Sequence, residues 1–357
     1  MVDSELENVI HFSRNRPDVY GCAHPKSLLR AIVEDGEHLA KLTNQHICSA
    51  DQFDRDTLLQ LFRLAAKYEA NPDRFNTSLQ GKILISAFYE PSTRTRLSFE
   101  SAWHRLGGDI MSITDRSTTG IAKGESLTDI GEMFNNYGDC VVLRDTNEKS
   151  VIEMMNALRI PIINAGNGTD EHPTQALADL YTILKWQPAL IAGDDFNKVN
   201  LCIIGIPRIM RTVRSLLKLF VIFPEIIDKI TIVSDQPKDE LFCEGQLKQL
   251  EEAGLRIDTS DDLDAVLPEA DVVYINAIAW EGETFQEYGM KYCINSNSPL
   301  KENAIIMHPL ARGEELSSDL DDTVHNWYFA QARGAVFLRQ ALLTCLVRRA
   351  ERVLDIV

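Results

Sequence analysis

The stretch Tyr89-Glu90-Pro91-Ser92-Thr93-Arg94-Thr95-Arg96 sets three hydroxyls and two guanidinium groups in a row, directly after the apolar run Ile83-Leu84-Ile85-Ser86-Ala87-Phe88. Read locally, a strand feeds a helix through a turn. Pro91 is pre-set for the first helical turn, Ser92 or Thr93 can cap it, and Leu97-Ser98-Phe99-Glu100 continue it. A helix N-terminus presents unpaired N–H groups and the positive end of its dipole, so hydroxyls and arginines at that spot form an anion cradle best suited to phosphate. The same residues would also serve as a plain cap followed by surface arginines. The cradle reading gains from its place at a strand end and from the crowding of Glu90, Arg94 and Arg96.

Further candidates follow along the chain. Cys140-Val141-Val142-Leu143-Arg144 reads as a buried strand that ends in an arginine, and ligands of open α/β sheets sit beyond strand carboxyl ends. His172 stands just before a helix whose first turn holds Gln175, after the strand Pro161 to Gly166. Between Arg116 and Leu127 runs a polar loop with two glycines that carries Thr119 and Lys123; as structure alone it is a surface loop. A second strand-rich half begins near Val199. Its first βα turn, Gly205-Ile206-Pro207, does not continue as Gly-x-Gly-x-x-Gly, which argues against a dinucleotide site, and Arg211 opens the helix that follows.

From about Leu42 to the C-terminus the chain resembles the aspartate and ornithine carbamoyltransferases. The most specific matches are Ser92-Thr93-Arg94-Thr95-Arg96 and His172-Pro173-Thr174-Gln175, the latter extended by Asn164, Gly166, Gly168 and Asp179. The resemblance implies transfer of a carbamoyl group from carbamoyl phosphate to an amine or amino-acid acceptor, with no metal or organic cofactor. It implies that Ser92, Thr93, Arg94 and Thr95 bind phosphate; that Thr95, Arg144 and His172 polarise the carbonyl; and that Gln175 fixes the carbamoyl NH₂. It further implies a homotrimer in which Thr119 and Lys123 enter the neighbouring subunit's site.

On the acceptor side, Arg211 matches a carboxylate-gripping arginine of the aspartate enzymes. Their Arg-x-Gln is replaced by Ala277 and Ala279 in Tyr274-Ile275-Asn276-Ala277-Ile278-Ala279-Trp280. In His308-Pro309-Leu310-Ala311-Arg312, Ala311 stands where the family has a proline after a cis peptide. The residues Arg211, Asn276, Trp280 and Leu310 are the expected acceptor contacts. The expected activity is carbamoyl transfer to an amine other than aspartate. Genuine aspartate carbamoyltransferase and a silent carbamoyl-phosphate-binding regulator are the alternatives.

These residues need a scaffold. At 357 residues the chain is long enough for two domains, and strands alternating with helices imply an α/β architecture of two doubly wound parallel-sheet domains joined by long helices. The expected division is an extension over 1–43, a carbamoyl-phosphate-binding domain over 44–185, an acceptor-binding domain over 186–328, and a returning amphipathic helix over 329–357. Helices are also expected from His24 to Leu42 and from Lys238 to Ala253. With 36 Lys and Arg against 53 Asp and Glu, the net charge of −17 argues against nucleic acid or anionic membrane as the main partner. Seven scattered cysteines without a Cys-x-x-Cys pair, and no long apolar run, point to a cytoplasmic protein.

Overall fold

A computed structural model of the chain describes residues 18–168, 171–192, 198–276 and 291–349. Two parallel sheets form, their inner strands apolar runs buried on both faces and their edge strands Asp109–Ile113 and Ile257–Ser260 partly exposed. The first sheet has four strands in the order β2-β1-β3-β4: β1 (Ile83–Phe88), β2 (Asp109–Ile113), β3 (Cys140–Arg144) and β4 (Ile162–Asn164). The second has five in the order β7-β6-β5-β8-β9: β5 (Val199–Ile204), β6 (Ile227–Val233), β7 (Ile257–Ser260), β8 (Val272–Ile275) and β9 (Ile305–Met307). In each sheet the chain reverses its direction of winding beside the first strand, leaving a crevice between β1 and β3 and another between β5 and β8. Such switch points are where open α/β sheets hold ligands.

The helices are α1 (Pro25–Ala31), α2 (Arg55–Ala70), α3 (Thr93–Arg105), α4 (Leu127–Tyr137), α5 (Ser150–Met155), α6 (Pro173–Trp186), α7 (Arg211–Ile222), α8 (Gln246–Glu252) and α9 (Tyr328–Leu346), with short turns between them. Local chemistry sets several starts: Asp54 accepts from the Thr57 N–H at 2.8 Å and Ser126 from the Asp129 N–H at 3.0 Å. One apolar cluster runs through Phe62 of α2, Leu180 of α6, Leu216 and Phe220 of α7, and Leu342 of α9. Among the described residues no helix is long and apolar enough to cross a membrane.

Three expectations need correction. The helix expected from His24 to Leu42 breaks after Ala31 into α1 and a single turn, Glu37–Ala40, because the chain turns extended at Ile32 (φ −112°, ψ 119°). The helix expected from Lys238 to Ala253 is a 3₁₀ turn, Lys238–Glu240, and the short α8, separated by Gly245 at a φ of +77°. The last helix is not amphipathic: α9 is buried nearly all round, packed against α2, α3 and α6.

A fully buried ion pair joins three of these helices. Lys185 Nζ of α6 lies 3.1 and 3.2 Å from the two carboxylate oxygens of Glu69 on α2, with both side chains 0% exposed. The Tyr181 hydroxyl donates to the same carboxylate at 2.7 Å, and Arg333 of α9 stands 3.3 Å from it. Removing one member leaves an uncompensated buried charge, so Glu69→Leu is expected to lower the urea-unfolding free energy by ~3–5 kcal/mol. The double variant Glu69→Leu/Lys185→Met should lie closer to wild type than Glu69→Leu alone.

Candidate active site

Gly166 marks the point of convergence. Its φ of +104° suits glycine, and a Cβ there would stand 3.2 Å from Arg144 Nη1, 3.3 Å from His172 Cδ2 and 3.5 Å from Arg211 Cζ. Segments after β3, β4 and β5 thus bring two guanidinium groups and one imidazole together. Glu90, just past β1, supplies the opposing charge: its Oε1 accepts from Arg144 Nη2 at 2.6 Å and lies 3.7 Å from Arg211 Nη2. Arg211 Nη1 also donates to the Gly168 carbonyl at 2.5 Å. Burial and the nearby Arg144 hold the Arg211 pKa below its usual value, with Glu90 opposing.

His172 is buried, and desolvation followed by the charges of Arg211, Arg144 and Arg339 pushes its imidazole well below the usual pKa. The ring is therefore neutral at neutral pH and can donate one N–H without carrying charge. Its Nδ1 meets no partner among the described residues. The backbone is anchored instead: the His172 N–H donates to Ser215 Oγ at 3.1 Å, and that hydroxyl lies 3.3 Å from Glu171. Glu171 also takes Lys218 Nζ at 2.6 Å and the Ser49 hydroxyl at 2.7 Å.

Gln175 is oriented from behind. Its Nε2 donates to Asp179 Oδ1 at 2.7 Å, one turn further along α6, so its own carbonyl oxygen is the atom left to accept. The Asp179 carboxylate also accepts from Gln331 Nε2 at 2.6 Å and from the Tyr274 hydroxyl at 2.7 Å. Burial raises the Asp179 pKa to about 6, with the three donors opposing.

A cleft of about 850 Å³ opens between the two sheets, within the usual size for a small-molecule site. It is lined by Ser92, Thr93, Arg94 and Thr95 at the start of α3, by Arg144, His172 and Gln175, and by Arg211, Asn276 and Leu310 from segments that follow β5, β8 and β9. Ser92 makes no capping bond with its side chain, contrary to the cap expected there. Of the two arginines in the cradle only Arg94 faces the cleft; Arg96 pairs with Glu100 at 3.3 Å along the helix, so one guanidinium is removed from the expected anion site. Asn276 Nδ2 lies 3.3 Å from the Thr212 hydroxyl. The Leu310–Ala311 peptide is cis, and Leu310 has a φ of +57°, with its N–H donating to His308 Nδ1 at 2.8 Å.

Thr119 and Lys123 do not line this cleft: Lys123 is exposed at the end of a 3₁₀ turn, Gly120–Lys123, and the Thr119 hydroxyl donates to the Arg116 carbonyl at 2.7 Å. Trp280, with Ala277 and Ala279, lies outside the described residues. The sequence reading missed the bridging of Arg144 and Arg211 by Glu90 and the role of Gln331. Asp179 was legible in part, four residues after Gln175 on one helical face. Among the described residues no cluster of His, Cys, Asp and Glu could hold a metal ion.

The two sheets and this cleft define an α/β protein whose pocket, with Arg94, Arg144 and Arg211 on its walls, is suited to an anion. Residues 45–185 match the family model described as aspartate/ornithine carbamoyltransferase, carbamoyl-P binding domain, and residues 197–346 the one described as aspartate/ornithine carbamoyltransferase, Asp/Orn binding domain. The chain belongs to this family, and it is a carbamoyltransferase. It is 34% identical over 318 residues to the aspartate carbamoyltransferase catalytic subunit of Vibrio vulnificus, covering 87% of this chain and 98% of the relative. With the corresponding subunit of Methanopyrus kandleri it shares 35% over 318 residues, covering 87% and 99%. The crystal structure of aspartate transcarbamoylase from Trypanosoma cruzi in complex with carbamoyl phosphate and aspartate superposes with a TM-score of 0.75 at 32% identity, covering 86% of this chain and 98% of that one. These likenesses give no support to the expectation of an acceptor other than aspartate.

His172→Ala is expected to lower kcat by ~10²–10³, the usual cost of losing one donor to a developing oxyanion. Because the folded-state pKa is depressed, the ring should remain neutral as the pH falls through 6.5. An NMR titration of His172 with a midpoint near 6.5 would contradict this account of the site.

Proposed function

We propose that the chain transfers the carbamoyl group of carbamoyl phosphate to the amino group of L-aspartate and releases phosphate. The observation that carries the donor half is the convergence of Arg144 and His172 at Gly166 beside the hydroxyl-rich start of α3. The acceptor half is supported by the relatives, aspartate carbamoyltransferases that match over nearly their whole length.

In this reading the N–H groups of α3, the hydroxyls of Ser92, Thr93 and Thr95, and the Arg94 guanidinium hold the phosphate. Arg144, His172 and the Thr95 hydroxyl direct donors at the carbonyl oxygen, where negative charge grows as the amine attacks. Gln175, held by Asp179, accepts from the carbamoyl NH₂. The amine nitrogen bonds to the carbonyl carbon, the bond from carbon to the phosphate oxygen breaks, and the departing phosphate takes the amine proton. Two reactants are aligned and no covalent intermediate is needed. Arg211 receives an acceptor carboxylate, exchanging its contact with Glu90 for the ligand.

One observation favours a second reading. Ala277 and Ala279 cannot pair with a carboxylate, so an acceptor with a single carboxylate and an apolar side chain fits those two positions better than a dicarboxylate. Phosphate release measured with carbamoyl phosphate and a panel of amino acids and amines separates the two. Turnover with aspartate well above that with the rest is the expected outcome; turnover confined to a monocarboxylate amino acid or an amine would overturn aspartate in favour of that acceptor.

The proposal includes a trimer in which Lys123 and Thr119 act in the adjacent subunit's cleft. It is supported by their place on an exposed turn away from their own subunit's cleft. Inactive Lys123→Gln and Arg94→Ala proteins, dissociated and reassembled together, should regain part of the wild-type activity through hybrid sites that carry neither change. Activity that stays at the level of the separate variants would mean that each subunit carries a complete site.

A further inference from the structure

Arg339 is a charged residue in the middle of the largely buried α9, and is 2% exposed. Its Nη1 donates to the Ser98 hydroxyl at 2.5 Å, and its guanidinium carbon stands 4.7 Å from the centroid of the Phe99 ring. Its Nε and Nη2 are buried and meet no acceptor among the described residues, and no described carboxylate lies within ion-pair distance. Among the described residues the other buried arginine, Arg144, lacks a partner only at Nε, whereas Arg339 also lacks one at a terminal nitrogen. Burial lowers its pKa to about 10, which leaves it cationic at neutral pH.

Asp179 partly offsets the burial from beyond ion-pair contact, and a buried cation with no carboxylate in direct contact is still costly. Packing against Phe99 does not require the charge, because an apolar side chain of the same length would cover the ring as well. Arg339 lines the same cleft as the cradle, and its charge is among those that depress the pKa of His172. Ser98, which it contacts, lies one helical turn beyond Thr95 on α3, the helix whose N-terminus forms the cradle. The acceptor residues Arg211, Asn276 and Leu310 come from segments that follow β5, β8 and β9, on the other wall.

We propose that Arg339 is a ligand-binding cation of the donor site, its Nε and Nη2 donating to the phosphate of carbamoyl phosphate, so that the last helix supplies part of the positive charge that binds the donor. This rests on the donor half of the reading above. It assigns a purpose to a charge that the fold otherwise carries at a loss, and it separates two properties that a structural arginine would keep together. Removing the guanidinium should weaken phosphate binding without weakening the ligand-free protein.

The experiment is calorimetric titration of the assembled wild type, Arg339→Met and Arg339→Lys with inorganic phosphate at fixed salt, alongside thermal melts with and without phosphate. For Arg339→Met the expected result is phosphate affinity at least tenfold weaker, a ligand-free melting temperature equal to or above that of wild type, and a smaller phosphate-induced rise. Arg339→Lys should bind phosphate with intermediate affinity, because it keeps the charge and loses the fork. Wild-type affinity in Arg339→Met would overturn the proposal. If Arg339→Met does not fold, wild-type affinity in Arg339→Lys would do the same. A raised KM for the acceptor with unchanged phosphate affinity would assign Arg339 to the other substrate and overturn it as well. A wild-type protein that does not bind phosphate would instead remove the donor-site reading on which the proposal stands.

Discussion

Positive charge confined to a small volume is the constraint around which this fold is arranged. Arg144 and Arg211 approach within contact of one Cβ-sized space at Gly166, with Arg94 at the rim and a single carboxylate, Glu90, between the first two. In a chain of net charge −17 such a cluster forms only where rigid elements hold it, because each guanidinium raises the free energy of the next. Strand ends provide that rigidity. β3 ends on Arg144, β4 leads through Ala165 and Gly168 to His172, and β5 leads to Arg211, so the charges are set by backbone that hydrogen bonds on both sides. Glu90 lowers the repulsion between them.

The neutral groups of the site depend on this field. His172 is kept uncharged by burial and by the arginines around it, which suits it to share a developing negative charge rather than to carry a proton. Gln175 has its amide turned by Asp179, and Asp179 is itself shared with Tyr274 of β8 and Gln331 of α9. One carboxylate therefore links a donor-side residue to a strand of the second sheet and to the last helix. His308, which receives the Leu310 N–H and gives its own backbone N–H to Gln331, joins the turn at Leu310 to the same chain of contacts.

The parallel sheets were legible because their strands are short apolar runs closed by turns, and the site residues were legible because they stand at the ends of those runs. Arg144 could be placed from its position after Cys140-Val141-Val142-Leu143 alone. Periodicity failed for α9, since a helix enclosed on all sides carries no polar face to report its orientation, and Gln331 and Arg339 went unread as polar residues in an apolar stretch. It failed also for Arg96, which the spacing put beside Arg94 although helical geometry turns the two side chains apart. The long-range meeting of Glu90 with two arginines has no local signal, because it depends on how the two sheets face each other.

The course of α9 gives the molecule an order in time. Gln331 and Arg339 complete a cleft whose other walls are encoded far upstream, and helices α2 and α6 wait for the same segment to cover their apolar faces. On the ribosome, with synthesis at ~5–20 residues per second, the interval between the emergence of α6 and that of α9 is roughly ten to thirty seconds. During that interval the nascent first half presents an uncovered greasy groove and a charged pocket with one wall missing. The cleft is therefore closed only once α9 has been made, and a chain stalled before it would leave that greasy groove open to chaperones.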